Sequence, residues 1–362
     1  MSTPTRLPDD LLETRLARAG LVLPCAPGEA DEFLSRPTPA VVALAETMPT
    51  PVLVLGAGGK MGLHLSLMLK HALVAAGRGE ERVVAVSRFS SLRDRDVFER
   101  AGIETIACDL SVESQVAELP DAPTVFFLAG VKFGTSNSPD LLEQMNVIMP
   151  RLVAKRYEQA RIVAFSTGCV YPFVSTETAG ASEATPIGPV GDYAVSCARR
   201  EEAFAEAARR AGTRVALIRL NYSVEFRYGV LVDIATKVLR GEPVDVTMGH
   251  VNLIWQRDAV AHSILALGLA AAPAEPVNVT GAGVLRVRDL ATDFGTLFGV
   301  KPVITGVEAP TAWLNDASRS HALFGAPPTP VSTMQAWVAA WLAAGGDTWG
   351  KPTGFEKRDG KF

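Results

Sequence analysis

Short apolar runs that alternate with longer amphipathic stretches predict an α/β protein with a doubly wound parallel sheet. Three observations favour this fold class. The apolar run 51–55 leads directly into a glycine-rich turn, the runs are as short as strands buried on both faces, and a helix-like stretch separates each run from the next. Such a sheet has right-handed crossovers, and its ligands bind at the carboxyl ends of the strands.

The predicted elements alternate regularly up to residue 219. The strands are 52–55, 82–87, 104–108, 124–128, 161–165 and 214–219, and the helices between them are 60–76, 92–101, 112–118, 141–158 and 191–211. Beyond residue 219 the alternation is less regular. There we predict helices at 230–239, 258–271 and 287–298 and strands at 243–247 and 276–280.

The most informative motif is the glycine-rich turn that joins the first predicted strand to the first long helix. It has the spacing Gly56-x-x-Gly59-x-x-Gly62, with Lys60 and Met61 at the helix start. Glycines let the backbone approach a phosphate closely, and the free N–H groups at a helix start attract negative charge. Strand, turn and helix together therefore predict a bound dinucleotide whose pyrophosphate contacts residues 56–62.

The pattern divides the chain into a nucleotide-binding (Rossmann) domain with a return segment, a smaller C-terminal α/β substrate lid, an N-terminal helical arm and a tail. The nucleotide-binding domain comprises residues 51–220 and a return segment at 255–280, and the lid comprises residues 221–345. The arm is residues 1–50, and the tail is residues 346–362. The arm has helical stretches near Asp9 and at 37–48 and is interpreted as a packing element. Contact of the arm with a second copy of the chain, giving a homodimer, stays open. The tail is interpreted as a surface strap or a frayed end.

Composition and charge argue against several functional classes. The 362 residues include 35 basic and 39 acidic side chains, a net charge of −4, so we expect no nucleic-acid partner. No apolar run reaches the roughly 18 residues that span a bilayer, and residues 1–10 lack the pattern of a signal peptide, so we expect no membrane partner. The four cysteines are scattered, and the five histidines lack partners for a metal site. We therefore expect no metal and a cytoplasmic location.

The end of the second predicted strand bears on the choice between NAD and NADP. A carboxylate there would bond the ribose 2′-hydroxyl and repel a 2′-phosphate, but the sequence has Ser87 and Arg88 instead. A guanidinium can hold a phosphate through two parallel N–H bonds. We therefore expect NADP or NAD as the cofactor, with NADP favoured. An Arg88 side chain that stacks on the adenine, or that is only solvated, is the alternative.

Small and polar residues follow the third and fourth predicted strands, where the rest of the cofactor would lie. Asp109, followed by Leu110, suits the adenine amino group. The small residues of Leu128-Ala129-Gly130 let the backbone pass close to the cofactor. Lys132 is placed to contact the phosphates or the nicotinamide ribose, or else it is a solvated loop lysine.

Taken in order, these motifs resemble the extended short-chain dehydrogenase/reductase family, which includes sugar epimerases, dehydratases and reductases. The matching residues are Gly56-x-x-Gly59-x-x-Gly62, Asp109-Leu110, Leu128-Ala129-Gly130, Asn146, Ser166-Thr167-Gly168-Cys169-Val170-Tyr171 and Tyr193. The resemblance covers about residues 51–342. It implies an enzyme that uses NAD(P) to move a hydride to or from a sugar, a sugar acid or a nucleotide-sugar, in an epimerisation, a reduction or a dehydration.

The resemblance implies catalytic roles for two residues and raises a question about a third. Thr167, after the fifth strand, would bond the reacting oxygen, and Tyr193, which opens the next helix, would be the general acid and base. The family has a lysine four residues after this tyrosine, where the chain has Cys197. A phenolate at neutral pH costs about 4 kcal/mol, because the ordinary pKa of tyrosine is about 10, and a neutral thiol does not lower that cost.

Three explanations for the missing lysine stay open. In the first, the oxidised nicotinamide, Lys132 or Arg200 supplies the positive field, since Arg200 lies seven residues after Tyr193 on the same helix face. In the second, Tyr193 serves only as a proton donor, for which a high pKa matters less. In the third, the protein is a cofactor-binding sensor or scaffold with little or no turnover.

The candidate contacts for a small sugar-like substrate are a tyrosine of the fifth-strand motif and several polar or aromatic residues of the lid. They are Tyr171, Asn221, Arg227, Trp255 and Arg257. Aromatic faces suit the C–H surface of a sugar, and arginines suit a phosphate or a carboxylate. An ordinary place at the rim of the lid is the alternative for each of them.

Overall fold

A parallel sheet forms the centre of the protein, whose computed structural model describes residues 22–89, 92–131 and 139–360. In this part of the chain the sheet has seven strands. They are β1 (Val52–Leu55), β2 (Val83–Ser87), β3 (Glu104–Ala107), β4 (Thr124–Phe127), β5 (Arg161–Thr167), β6 (Arg214–Leu220) and β7 (Glu275–Val279).

The strand order is β7-β6-β5-β4-β1-β2-β3, and every neighbouring pair is parallel. β1 lies between β4 and β2, so that Val52 pairs with both Thr124 and Val83. The winding direction reverses at β1, and ligands of such sheets bind outside the carboxyl ends of the strands at this point. The predicted fold class, an α/β protein with a doubly wound parallel sheet, is confirmed.

Helices cover both faces of the sheet and also build much of residues 221–345, the segment predicted to be a lid and called the lid below. Along the chain they are α1 (Ala30–Leu34), α2 (Pro39–Thr47), α3 (Lys60–Ala75), α4 (Leu92–Arg100), α5 (Glu113–Ala117), α6 (Pro139–Glu143), α7 (Met149–Arg156), α8 (Asp192–Ala211), α9 (Val230–Arg240), α10 (Gln256–Leu265), α11 (Val287–Phe298), α12 (Ser318–Phe324) and α13 (Val331–Ala343). Within residues 22–89, 92–131 and 139–360, none of them has both the length and the apolar character that crossing a bilayer requires.

The apolar residues of the sheet divide between two cores, one on each face. Val52 and Val54 of β1 join a core with α2, α3 and α10, whereas Leu53 and Leu55 join a core with α5, α7 and α8. Successive side chains of a strand point to opposite faces, so a run of four apolar residues supplies both cores. The short, wholly apolar strands expected from the sequence are explained by this double burial.

The helix predicted at 141–158 is interrupted. The structure has α6, then a π-helical turn at Gln144–Ile148, and then α7. Pro150 has no N–H to donate to the carbonyl of residue 146, so one α-helical hydrogen bond is missing at this point. The turn contains Asn146, whose side chain is fully buried.

The C-terminal lid has an apolar core of its own. Helices α9, α11 and α13 pack around Phe226, Trp255 and Trp341, which are almost completely buried. Leu34 of α1 and Phe355 near the C-terminus are buried in the same core. Short strand pairs join the segments around it: Ser223–Val224 with Ile254–Trp255, Pro243–Asp245 with Val303–Thr305, His250–Val251 with Leu285–Arg286, and Val174–Ser175 with Thr311–Ala312.

Residues 22–50 of the N-terminal arm are among the described residues. Helices α1 and α2 pack against α3, and α2 occupies the stretch expected to be helical at 37–48. Thr38 caps α2, accepting a hydrogen bond from the Val41 backbone N–H at 3.3 Å. The helix predicted near Asp9 lies outside the described residues.

Candidate active site

A cavity of about 180 Å³ lies at the carboxyl ends of β5 and β6, between the start of α3 and the lid. Its wall includes Lys60, Met61, Thr167, Tyr193, Asn221 and Thr353. Residues expected to bind a cofactor and residues expected to carry out chemistry therefore face the same cavity.

The glycine-rich turn is packed too tightly to admit side chains at two of its glycines. Gly56 has φ +92°, and a Cβ there would lie 2.5 Å from the backbone nitrogen of Ala129. A Cβ on Gly62 would lie 2.5 Å from the carbonyl oxygen of Gly56. Gly59 precedes α3, and the first turn of α3 has no acidic side chain. The free N–H groups and the positive end of the helix dipole are therefore available to an anion.

We expect Gly62→Ala to weaken NADH or NADPH binding by about 10- to 100-fold, because overpacking costs about 1–3 kcal/mol. Isothermal titration calorimetry measures the effect. Gly268→Ala is the matched control, because a Cβ there meets no described atom within 4 Å. A Gly62→Ala protein with the parental affinity would show that the turn does not receive the cofactor.

Ser87 and Arg88 lie at the end of β2, beside the glycine-rich turn. The Ser87 hydroxyl is 2.6 Å from the position that a Cβ on Gly58 would take. Arg88 is exposed. Hydrogen bonds from the Ser111 hydroxyl and backbone N–H hold the pKa of Asp109 below its ordinary value, and the charge of Arg88 adds to this effect. Arg88 and an ionised Asp109 therefore flank the same edge of the sheet.

The loop after β4 is held in place by Asn146 of the π-helical turn. The Asn146 side chain accepts a hydrogen bond from the Val131 backbone N–H at 3.1 Å and donates one to the Val131 carbonyl at 3.0 Å. This fixes Leu128-Ala129-Gly130 against the glycine-rich turn, because Ala129 touches Gly56. Of the other expected cofactor contacts, Leu110 is buried in the core, and Lys132 lies outside the described residues.

Thr167 and Tyr193 face the cavity from β5 and from the first turn of α8. Thr167 Oγ1 accepts a hydrogen bond from the Cys169 backbone N–H at 3.2 Å. Burial raises the pKa of Tyr193 well above its ordinary value of 10, and the neighbouring Cys197 raises it further. Cys197 itself is fully buried one turn along α8. At neutral pH Tyr193 is therefore a protonated phenol, ready to donate.

Arg200 lies on the same helix, near Tyr193 and Cys197. Its Nη1 donates to the Phe165 carbonyl at 3.1 Å, and its Nη2 donates to Asn146 Oδ1 at 2.5 Å. Its charge lowers the pKa of Tyr193, although by less than burial raises it. Arg200 is thus a fixed positive charge beside the phenol, as one explanation for the missing lysine requires. Its role in catalysis stays a prediction.

Tyr171 lies behind the site and does not line the cavity. It is 1% exposed, and its hydroxyl donates to Asn278 Oδ1 at 2.9 Å and accepts from Arg219 Nη1 at 2.8 Å. Arg219 is paired in turn with Glu201, Nη2 to Oε2 at 2.7 Å. The expectation that Tyr171 contacts substrate is therefore not supported by its position, because its one polar group is already engaged in the interior.

Of the four expected lid contacts, only Asn221 lines the cavity. Arg227 pairs with Glu225 at 3.1 Å and with Asp31 of the N-terminal arm at 2.6 Å. Trp255 is fully buried in the lid core, and Arg257 donates its Nε to the Arg36 carbonyl at 2.9 Å. The sequence does not show the contacts of these arginines with Asp31 and Arg36, because both partners come from the distant N-terminal arm.

The cavity wall includes other polar residues that were not selected as substrate contacts. They are Ser166, Tyr222, Ser223, Tyr228, Gln256 and Thr353. Tyr222 has φ +39°, and residues other than glycine hold this conformation mostly where the surroundings impose it, often at functional sites. Thr353 comes from the tail, where the sequence has no motif to indicate a place in the site.

The parallel sheet and the glycine-rich turn after β1 define a dinucleotide-binding protein of the α/β class. Residues 52–279 match the profile of the NAD dependent epimerase/dehydratase family, and the chain belongs to this family. The resemblance seen in the sequence is thereby confirmed. No curated protein sequence matches the chain.

Solved structures of similar fold come from enzymes of this kind. A UDP-galactose 4-epimerase has 25% sequence identity and a TM-score of 0.64, over 81% of this chain and 98% of its own. A UDP-glucuronic acid 4-epimerase from Bacillus cereus, in complex with NAD, has 16% identity and a TM-score of 0.67 over 81% and 98%. A double mutant of a dTDP-glucose 4,6-dehydratase from Streptomyces venezuelae, with NAD bound, has 17% identity and a TM-score of 0.68 over 81% and 97%.

Proposed function

We propose that the protein is an NAD(P)-dependent enzyme that moves a hydride to or from a carbon of a sugar, a sugar acid or a nucleotide-sugar. One observation supports this most directly. Lys60 and Met61 of the glycine-rich turn share a cavity wall with Thr167 and Tyr193. Membership of the epimerase/dehydratase family and the nucleotide-sugar enzymes among the similar structures support the same substrate class.

The residues present fit a dinucleotide. At Gly56 and Gly62 no Cβ can be accommodated, as expected where the backbone must stay close to a phosphate. In the proposal, residues 56–62 hold the pyrophosphate, and Ser87, Arg88 and Asp109 bind the adenosine half. When bound, the nicotinamide supplies the chemistry of hydride transfer.

The protein's own part in the reaction is positioning and proton transfer. The Thr167 hydroxyl orients the reacting oxygen of the substrate, and the Tyr193 hydroxyl gives or takes its proton. As a donor, Tyr193 works in its neutral form. As a base it needs the phenolate, which the fixed charge of Arg200 favours. The cavity holds the reacting groups together, which contributes most of the rate in this proposal.

The proposal is tested first on the protein as purified. Its near-ultraviolet spectrum and the mass of any released nucleotide show whether NAD(H) or NADP(H) is retained. The protein is then assayed with both cofactors against UDP-glucose, UDP-glucuronic acid and free sugar acids. Turnover of any of these supports the proposal, tight binding without turnover favours a sensor or scaffold, and failure to bind all four nicotinamide nucleotides overturns it.

We propose further that Arg88 makes NADP the preferred cofactor, although two of the similar proteins were solved with NAD. Arg88→Glu should weaken NADPH binding by about 10- to 100-fold, because a charge-assisted contact is worth about 1.5–3 kcal/mol. NADH binding should change little. Titration of protein fluorescence with each nucleotide measures both affinities.

Arg100→Glu is the matched control for this prediction, because Arg100 is exposed at the far end of α4 and the change in net charge is the same. Equal losses for NADPH and NADH in the Arg88→Glu protein would remove the case for NADP.

A further inference from the structure

Residues 349–360, called the C-terminal strap below, run from the glycine-rich turn to the start of α8. At one end, Trp349 Nε1 donates to Glu225 Oε1 at 2.7 Å, and the Trp349 ring lies 5.8 Å from Lys60 Nζ. At the other end, a Cβ on Gly360 would lie 2.8 Å from the Cα of Gly191, the residue before α8. The strap therefore joins the cofactor side of the site to the side that carries Tyr193.

Between these ends the strap forms part of the cavity wall. Thr353 lines the cavity and is 3% exposed. Its backbone N–H and its hydroxyl both donate to Asp233 Oδ2 of α9, at 2.7 and 2.6 Å, and we call this pair of bonds the Thr353–Asp233 latch. Two residues further on, Phe355 is fully buried in the lid core. The latch, the Phe355 side chain and the hydrogen bonds that Glu356 and Arg358 make outside the strap hold this segment in place.

The cavity is small for the molecules that the proposed function places in it. Sites that enclose small ligands measure roughly 300–1,000 Å³. The cavity has about 180 Å³, and in the proposed function it receives both the nicotinamide end of the cofactor and the substrate. The rest of the wall comes from β5, β6, α3 and α8, which pack on the two sheet cores, and from residues 221–230 and Gln256, which lie beside the lid core. No residue of the strap belongs to either sheet core, so the strap can move without disturbing the sheet.

Tyr222 is a second sign that the wall is shaped for a ligand. It lines the same cavity with φ +39°, and its buried hydroxyl has no hydrogen-bond partner among the described residues. A buried hydroxyl without a partner is unfavourable, and the oxygen of a bound molecule would satisfy it once the wall shifts.

We propose that the C-terminal strap is a gate over the catalytic cavity. The Thr353–Asp233 latch holds this gate closed, and the gate opens when nicotinamide nucleotide and substrate bind or leave. The inference rests on the proposed function, because it takes the cavity to be the place of catalysis. The strap lies outside residues 52–279, which match the family profile, so the gate is a feature of the chain beyond the matched segment.

The experiment measures how fast NADH, or NADPH if the parent prefers it, leaves the full-length protein when excess oxidised nucleotide displaces it in a stopped-flow instrument. Thr353→Val keeps the shape of the side chain but removes the hydroxyl, and we expect dissociation about tenfold faster. Thr353→Ser keeps the hydroxyl and should dissociate at the parental rate. Lys357→Ala, which changes an exposed residue of the same strap, is the matched control and should also leave the rate unchanged.

The outcomes distinguish failure of the gate proposal from failure of the proposed function. If Thr353→Val releases the nucleotide at the parental rate, or if Lys357→Ala accelerates release equally, the strap is not a gate. A parent protein that binds no nicotinamide nucleotide refutes the proposed function itself, before any variant is compared.

Discussion

Tyr193→Phe is expected to lower kcat by about 100- to 10,000-fold while leaving the affinity for nicotinamide nucleotide nearly unchanged, because the variant loses the proton donor and keeps the ring. Steady-state kinetics and nucleotide titration on the same preparation measure the two effects. Since burial raises the pKa of Tyr193, the phenol is protonated in the free enzyme throughout the neutral range. A step in which Tyr193 accepts a proton should therefore accelerate as the pH rises from about 7 towards 10.

Tyr157→Phe is the control for this prediction. Tyr157 is another buried phenol, and its hydroxyl donates to the Pro120 carbonyl at 3.1 Å, outside the cavity wall. Its loss should affect stability by about 1 kcal/mol and leave kcat unchanged. If Tyr193→Phe retains parental turnover, or if both variants lose activity equally, Tyr193 is not the acid and base of the reaction.

The second large effect concerns the buried ion pair between Glu201 and Arg219. Arg219 Nε and Nη2 donate to the Glu201 carboxylate at 2.7–3.2 Å, and both side chains are less than a tenth exposed. Burial acts to lower the pKa of Arg219, but its bonds to Glu201 raise that pKa overall. Glu201→Gln should lower the free energy of unfolding by about 3–5 kcal/mol, because it leaves a buried guanidinium without its counter-charge. Chemical denaturation followed by circular dichroism measures the loss.

Glu202→Gln is the matched control, since the neighbouring Glu202 pairs with Arg209 on the surface, where both side chains are more than half exposed. Such a pair contributes less than about 1 kcal/mol. A Glu201→Gln protein as stable as the Glu202→Gln protein would show that the buried pair does not stabilise the fold. The pair also lies close to the cavity, because Glu201 accepts a hydrogen bond at 2.6 Å from Ser166, which is part of the cavity wall.

Much of the fold could be predicted from the sequence, because the strands and helices depend on residues that are close together in the chain. β1 begins and ends where its apolar run does, and α3 starts directly after Gly59. The helix predicted at 141–158 was too simple, since Pro150 leaves a hydrogen bond unmade and a π-helical turn results. Helices α12 and α13 were not predicted, because α13 is apolar around much of its circumference and shows no clear helical periodicity.

The site residues could be predicted only where they belong to a short sequence motif. The glycine-rich turn, Thr167 and Tyr193 face one cavity, as their order along the chain led us to expect. Tyr171, Trp255 and the two lid arginines fit a sugar site by residue type alone, but each has a partner or a packing environment elsewhere. Residue type does not show which neighbours will satisfy a polar group, because those neighbours come from distant parts of the chain.

The sequence alone is sufficient to predict the α/β class, the order of the strands along the chain, the glycine-rich turn and the family. These depend on periodicity and on glycines at fixed spacing, which act over a few residues. Only the folded protein shows that Arg200 lies near Tyr193, that Arg227 pairs with Asp31, and that Thr353 from near the C-terminus lines the cavity. Such contacts arise when the whole chain packs, and no local pattern specifies them.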